Sequence, residues 1–259
     1  MPIGLNVLSG ASFLLGAINA FLPWRLYLQE DAKQLSEEKR NQLEIKIQEL
    51  ANKLGISKPV ELIEIKGMVG QAQALGIDML PGRIGIAIDP DMVESIPEAE
   101  LEFLISHELS HIKTNDIFWM MVVPAIIGGI STLAICILFP SLATLFSPLI
   151  MGIFMVASPA AVIGLAVSVA ALIFFSRWRE ECADKLGFSV CSDEAQKAAA
   201  TFFENLRTTM IELKNNQEDD SCFDQFLKNY FLTEDGDDLL DLSHPTLTAR
   251  IKYLQPNLV

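Results

Sequence analysis

The chain has 259 residues, of which 51% are hydrophobic, and its formal net charge is −14. This acidic balance argues against nucleic acid as a partner, because phosphate binding needs clustered Lys and Arg. The apolar excess is uneven: residues 117–176 carry no charged side chain and separate two polar parts.

The first 24 residues carry no charged side chain and are largely apolar. About 20 apolar helical residues can cross a bilayer core. We therefore expect residues 1–24 to form an N-terminal membrane anchor. A helix that lies in the membrane interface is the alternative, because Asn6, Ser9 and Asn19 interrupt the apolar stretch.

The following polar part predicts helices and a small sheet. Apolar residues recur at helical spacing among charged ones over 30–54, which predicts an amphipathic helix. Runs rich in Val and Ile, bounded by Gly and Pro, predict strands at 60–65 and 84–88. Pro90, Pro97 and the pair of Ser95 and Glu98, which has the spacing of a capping box, predict the start of the next helix.

That helix carries the sequence His107-Glu108-Leu109-Ser110-His111. Residues four apart lie on one face of a helix, so both imidazoles can reach one metal ion. Zinc suits them, because it accepts nitrogen and oxygen ligands in a tetrahedron. Glu108 follows the first histidine and can reach a water on the ion, as the general base of a zinc hydrolase does.

The uncharged block is long enough for two membrane crossings. We expect the crossings at 118–139 and 151–175, with a turn at 140–148. Two crossings return the chain to the side it left. Basic residues flank the block on that side and are missing from the turn, which predicts that the charged parts are cytoplasmic. The four cysteines lack disulfide spacing, and free thiols agree with a reducing compartment.

A catalytic zinc needs a third protein ligand, and two residues can provide it. One is Glu180, which lies just after the uncharged block, and the other is His244. Glu180 and Asp184 are four apart and share a helix face, so one can bind the metal while the other orients a ligand histidine. Glu181 competes with Glu180, because it lies three residues before Asp184.

Several separated motifs resemble those of the HtpX-type membrane zinc metalloproteases, which are relatives of the prenyl-protein proteases. The resemblance covers roughly residues 35–254. It is carried, in the family's order, by residues 107–113 with Asn115-Asp116, by Ser176-Arg177, Arg179-Glu180 and Ala183-Asp184, and by Ser243-His244-Pro245 with Arg250-Ile251.

The resemblance implies roles for site residues. Glu180 would be the third ligand of a single Zn²⁺ ion, and Asp184 and Asp116 would support the ligands without touching the ion. His244 would lie near the metal and stabilise the developing oxyanion or regulate access. The edge strand that pairs with substrate backbone usually has the sequence Asn-Ala-Phe-Ala, and here it would be Gln71, Ala72, Gln73 and Ala74.

The expected fold is mainly α with a small β-sheet, a zincin-like metalloprotease domain with two or three transmembrane helices. The expected segments are the anchor at 1–24, a catalytic part at 25–116, a transmembrane hairpin at 117–176 and a second catalytic part at 177–259.

The expected function is a zinc endopeptidase of the bacterial inner membrane, with its active site on the cytoplasmic side. It would cleave membrane or misfolded proteins in quality control, with proteins or peptides and membrane lipids as partners. A non-catalytic membrane scaffold and a prenyl-peptide-processing protease are the alternatives. The sequence indicates no oligomeric state.

Overall fold

The computed structural model describes residues 35–66, 72–138, 159–215, 232–238 and 244–254. The predicted anchor at 1–24, Gln71 and the predicted turn at 140–148 lie outside these ranges, as does the first part of the second predicted crossing.

Helices and a short sheet form the first polar part, and the regular elements described after it are helices. The elements are α1 (Glu37–Lys53), β1 (Val60–Glu64), β2 (Ala72–Leu75), β3 (Ile84–Ile88), α2 (Pro90–Ser95), α3 (Glu98–Lys113), α4 (Asp116–Leu138), α5 (Pro159–Val190), α6 (Asp193–Asn215) and α7 (Leu247–Leu254). The prediction of a mainly helical fold with a small sheet is confirmed.

Strand β3 is the centre of the sheet, whose order is β1-β3-β2. It pairs parallel with β1 and antiparallel with β2, with Ala74 opposite Ile86. All five residues of β3 are buried, because isoleucines alternate with Gly85 and Ala87 and both faces of the strand are covered. In the described residues β2 pairs with β3 alone, so it lies at an edge of the sheet.

Helix α1 starts later than predicted, and α3 starts where predicted but without the predicted cap. Helix α1 begins at Glu37, because the Ser36 side chain accepts a hydrogen bond from the Lys39 N–H, 3.3 Å away. The capping box predicted at Ser95 is wrong. Ser95 ends α2 and donates its hydroxyl to the Met92 carbonyl at 2.9 Å. Helix α3 begins after Pro97, which makes no side-chain cap.

Helix α3 lies between two apolar clusters, and this fixes where its polar residues face. Its Leu101, Ile105, Leu109 and Ile112 pack with residues of α1 and the sheet. Each of these burials stabilises the fold by about 1.5–3 kcal/mol. Phe103 belongs to a second cluster, formed with residues from the end of α5 and from α6 and α7.

The chain divides into two compact units. One contains Asp116–Phe175, and the other contains Gln29–Asn115 and Ser176–Val259. Among the helices that the structure describes, none combines the length and apolar composition needed to cross a membrane. The transmembrane helices therefore stay a prediction.

Candidate metal centre

The two motif histidines face each other on α3. His107 Nε2 and His111 Nε2 are 3.0 Å apart. Both side chains are nearly buried, with 8% and 11% of their surface exposed. Their separation by four residues, about one helical turn, brings the rings together as the sequence predicts.

Helix α5 brings Glu180 to the same point. Glu180 Oε2 lies 3.5 Å from His107 Nε2, and Glu180 Oε1 lies 3.6 Å from His111 Nε2. The competing acid Glu181 instead forms an ion pair with Lys185 at 2.5 Å, and both side chains are well exposed. Of the two neighbouring acids, Glu180 therefore faces the histidines.

A glycine allows α5 to approach α3 closely. A Cβ atom at Gly187 would lie 2.9 Å from His107 N and 3.0 Å from His107 Cα. Real Cβ atoms essentially never approach backbone atoms to under 3.0 Å, so any side chain here would push the helices apart. Sequence reasoning missed Gly187, because a helical glycine gives no sign of what it packs against.

The other ring nitrogen of His107 meets a buried carboxylate. His107 Nδ1 lies 2.8 Å from Asp184 Oδ1, and Asp184 is completely buried. Arg250 and Tyr253 of α7 both donate hydrogen bonds to the same carboxylate. Arg250 belongs to a motif that carries the family resemblance, and its guanidinium is an ion-pair partner of Asp184. Tyr253 was missed, although a residue three after Arg250 shares its helix face.

The electrostatics of this cluster favour a cation. Burial disfavours the charged form of His107, but Asp184 and Glu180 outweigh it and raise the His107 pKa to about 10. Burial likewise opposes the charge of both acids. Contact with His107 and the charge of His111 nevertheless lower the pKa of Glu180, and the charge of Arg250 and contact with His107 lower that of Asp184. Two carboxylates thus stay ionised beside His107, as a site for a positive ion requires.

Glu108 connects the motif helix to the sheet edge. Its Oε2 accepts a hydrogen bond from the backbone N–H of Ala74, 2.7 Å away. The side chains of Ala72 and Ala74 are buried, while Gln73 is exposed. The predicted substrate strand, as far as it is described, therefore adjoins the motif.

Two further predicted site residues are His244 and Asp116. His244 Nε2 is 3.5 Å from Glu180 Oε2, and 45% of the His244 side chain is exposed. Asp116 is buried at the start of α4, and its support of a ligand stays a prediction.

The donor set fits a zinc ion. His107, Glu108 and His111 each offer a ligand atom, all within 4.8 Å of one another. Glu180 Oε2 is buried and receives no hydrogen bond from the described residues, as expected of an atom whose partner is a metal. The two Nε2 atoms are 3.0 Å apart, and each lies 3.5–3.6 Å from one of the two Glu180 oxygens, which is close to the edge length of a zinc tetrahedron. Its edges are about 3.3 Å when each bond is about 2.0 Å.

Known proteins resemble this chain over much of its length. A "Protease HtpX homolog" of Trichormus variabilis is 31% identical over 147 residues, which are 52% of this chain and 49% of the relative. Proteins of the same name from Pyrococcus abyssi and Fusobacterium nucleatum are 33% and 26% identical, over 40% and 66% of this chain and 35% and 54% of their own lengths.

The chain thus spans about half the length of the Trichormus variabilis relative and about a third of the Pyrococcus abyssi relative. No solved structure matches it significantly. The family model of peptidase family M48 matches residues 37–257, which is well over half of the chain and includes every residue of the metal centre. The chain therefore belongs to peptidase family M48.

Proposed function

We propose that the protein is a zinc endopeptidase that cleaves peptide bonds of protein or peptide substrates. The observation that carries the proposal is the convergence of His107, His111 and Glu180 within 3.0–3.6 Å of one another, with Glu108 beside them. We assign the first three residues as ligands of one Zn²⁺ ion. When bound, zinc polarises the scissile carbonyl and lowers the pKa of the attacking water.

Glu108 acts as the general base. Its carboxylate takes a proton from the attacking water and passes it to the leaving amine. The Ala74 N–H holds Oε2 of this carboxylate, which fixes the direction of the side chain. Held in this way, Glu108 is oriented before substrate arrives, and such positioning of a catalytic group lowers the barrier.

Strand β2 binds the substrate backbone. It lies at the edge of the described sheet, and an extended peptide can add to such an edge as a further strand. The Ala74 N–H is directed to Glu108, so the outer edge of β2 and the general base lie side by side. A peptide on this edge would present its carbonyl groups near the ligands, with the exposed Gln73 side chain among its contacts.

His244 stabilises the oxyanion that forms as water attacks. Its Nε2 atom lies 3.5 Å from a carboxylate oxygen of Glu180, and its exposed ring can reach a bound peptide. A hydrogen-bond donor aimed at developing charge contributes about 2.7–4 kcal/mol to catalysis in known enzymes.

The enzyme works at a membrane, where it cleaves membrane-tethered or misfolded proteins on the cytoplasmic side. Support comes from the sequence, in which residues 117–176 carry no charged side chain and basic residues flank them. Carbonate washing of membranes that contain the full chain tests this proposal. Release of the protein into the wash would contradict it.

The sharpest test of the mechanism is Glu108→Gln, which keeps the shape of the side chain and removes the base. We expect the variant to bind zinc like the wild type and to lose about 10²–10⁴-fold in the rate of hydrolysis of an unfolded protein substrate. Glu98→Gln, at an exposed acid of the same helix, is the matched control and should cleave normally.

Three results would overturn parts of the proposal. Equal rates for Glu108→Gln and wild type at equal zinc content would remove Glu108 as the base. A wild-type protein that binds zinc and cleaves nothing would favour the scaffold. Cleavage of prenylated peptides alone would favour the prenyl-processing enzyme.

A further inference from the structure

We propose that the last described helix, α7, positions the metal ligand His107 through Asp184, with Tyr253 and Arg250 as its two positioning residues. The inference rests on the proposed function, because it takes His107 to be a zinc ligand. It adds to the site a pair of side chains that lie 66 and 69 residues beyond Asp184 in the chain.

The Asp184 carboxylate accepts three hydrogen bonds from α7 and lies against His107. Oδ1 lies 2.8 Å from His107 Nδ1 and accepts from Arg250 Nη2 at 2.5 Å. Oδ2 accepts from Arg250 Nε at 2.8 Å and from the Tyr253 hydroxyl. A carboxylate has about four acceptor positions, so the three donors of α7 occupy most of them and fix its orientation beside His107 Nδ1.

The orientation of the Asp184 carboxylate determines the rotation and the tautomer of the His107 ring. A proton on Nδ1 directed at Asp184 leaves the lone pair of Nε2 for the metal, and it fixes the rotation of the ring. Burial and the charge of Asp184 raise the pKa of Tyr253, so its hydroxyl remains a donor at any physiological pH. Three of the four contacts that hold the carboxylate come from α7.

Phe203 of α6 links α7 to the motif helix α3. The Arg250 guanidinium lies over the Phe203 ring, with 4.2 Å between Cζ and the ring centroid. Phe203 in turn meets Phe103 of α3 edge to face, with centroids 5.8 Å apart. Phe103 precedes His107 by one turn. Arg250 is therefore fixed from one side by Phe203 and from the other by Asp184.

The experiment compares the zinc affinities of full-length variants by competition with a chelator. Tyr253→Phe removes one donor oxygen and keeps the ring. Arg250→Lys keeps the charge and loses the planar pair of donors, and Arg250→Gln loses the charge as well. Lys252→Ala, at an exposed position of the same helix, is the matched control.

Loss of a residue that supports a metal ligand typically weakens metal binding by about 10–100-fold. Tyr253 acts one step further away, so we expect about three- to tenfold weaker zinc binding for Tyr253→Phe. Arg250→Lys should be weakened less than Arg250→Gln, and Lys252→Ala should be unchanged. Cobalt substituted for zinc should show an altered visible spectrum in Tyr253→Phe, since the ligand ring turns.

Circular dichroism first establishes that each variant is folded. If α7 served only to stabilise the fold, variants that still fold would bind zinc with wild-type affinity. Wild-type affinity in folded Tyr253→Phe and Arg250→Gln would overturn the inference alone. A wild-type protein that binds no zinc would instead overturn the proposed function. If Tyr253→Phe does not fold, the order of the two Arg250 variants decides.

Discussion

Two adjacent acids of α5 have different surroundings, and the difference separates a ligand from a surface residue. The Glu180 carboxylate is buried between two imidazoles. The Glu181 carboxylate pairs with Lys185, one turn further along the helix and well exposed. An exposed pair of this kind contributes about 0.3–0.5 kcal/mol, whereas a buried carboxylate without a cation would be costly.

Substitution of these acids one at a time tests the ligand assignment. We expect Glu180→Gln to lose stoichiometric zinc, because an amide oxygen without charge binds the ion far more weakly. Glu181→Gln should keep it, since its carboxylate faces Lys185. Metal analysis of the two purified variants beside wild type is the measurement. A zinc content of Glu180→Gln equal to that of wild type would show that another residue is the third ligand.

At the scale of elements, the site depends on how closely α5 crosses α3. At Gly187 the two helices are so close that the backbone of His107 contacts α5. This spacing determines whether the Glu180 and Asp184 side chains can reach the His107 ring. The sequence could indicate that Glu180 and Asp184 share a face, because this follows from helical spacing. Only the need for a third ligand and the family resemblance indicated that this face meets α3, because the contact joins residues about 75 positions apart and leaves no local pattern.

Gly187→Ala has an expected effect opposite to the usual one. In a helix, Ala normally stabilises relative to Gly by about 1 kcal/mol. Here the added methyl would meet the His107 backbone, so we expect a loss of about 1–3 kcal/mol in the free energy of unfolding and weaker zinc binding. Urea unfolding of Gly187→Ala and of Ser189→Ala, an exposed control, is the measurement. A stabilised Gly187→Ala would disprove the close contact.

Glu102 joins three helices, which makes its effect on stability dependent on pH. It accepts from the Ser192 N–H at 2.8 Å, just before α6, and pairs with Lys46 of α1 at 3.0 Å. Burial opposes its charge, but the Ser192 N–H and Lys46 outweigh burial and lower the Glu102 pKa. A lowered pKa stabilises the fold above the ordinary carboxyl pKa of about 4.3 and ceases to do so as pH falls through the lowered value.

We therefore expect Glu102→Gln to reduce the free energy of unfolding at pH 7 by about 1–3 kcal/mol. The difference from wild type should shrink as the pH falls below about 4, because wild-type Glu102 is then protonated too. Urea unfolding at several pH values is the measurement. A difference that stays constant down to pH 3 would show that the charge of Glu102 contributes nothing.

Sequence patterns predicted some elements well and others badly, for physical reasons. Helix α3 and its paired histidines follow from local periodicity. Strand β2 has no β-branched residue, so only the family resemblance indicated it. The capping box at Ser95 failed because Pro97 starts α3 by its fixed backbone angle, while Ser95 already belongs to the preceding helix. The contacts of Tyr253 depend on tertiary packing and leave no local pattern.

At the scale of the whole chain, the proposed ion would join two distant segments. His107 and His111 precede the uncharged block, and Glu180 follows it. Zinc that binds the folded protein and not the unfolded chain stabilises the fold by about 2.7 kcal/mol when free zinc is 100 times the dissociation constant.

Removal of the metal should therefore lower the melting temperature, and added zinc should restore it. Calorimetry of the protein with chelator and with zinc measures the shift, and Glu180→Gln should show little or none. A melting temperature independent of zinc in wild type would mean that the ion does not bind across the two segments.

The position of Arg250 and Tyr253 so far along the chain has a consequence for synthesis on the ribosome. His107, Glu108 and His111 leave the exit tunnel long before α7 does, and Asp184 leaves it without the three hydrogen bonds that α7 donates. A nascent chain therefore carries an unfinished centre until α7 has emerged. In the proposed peptidase, translation itself would delay the onset of proteolysis until that point.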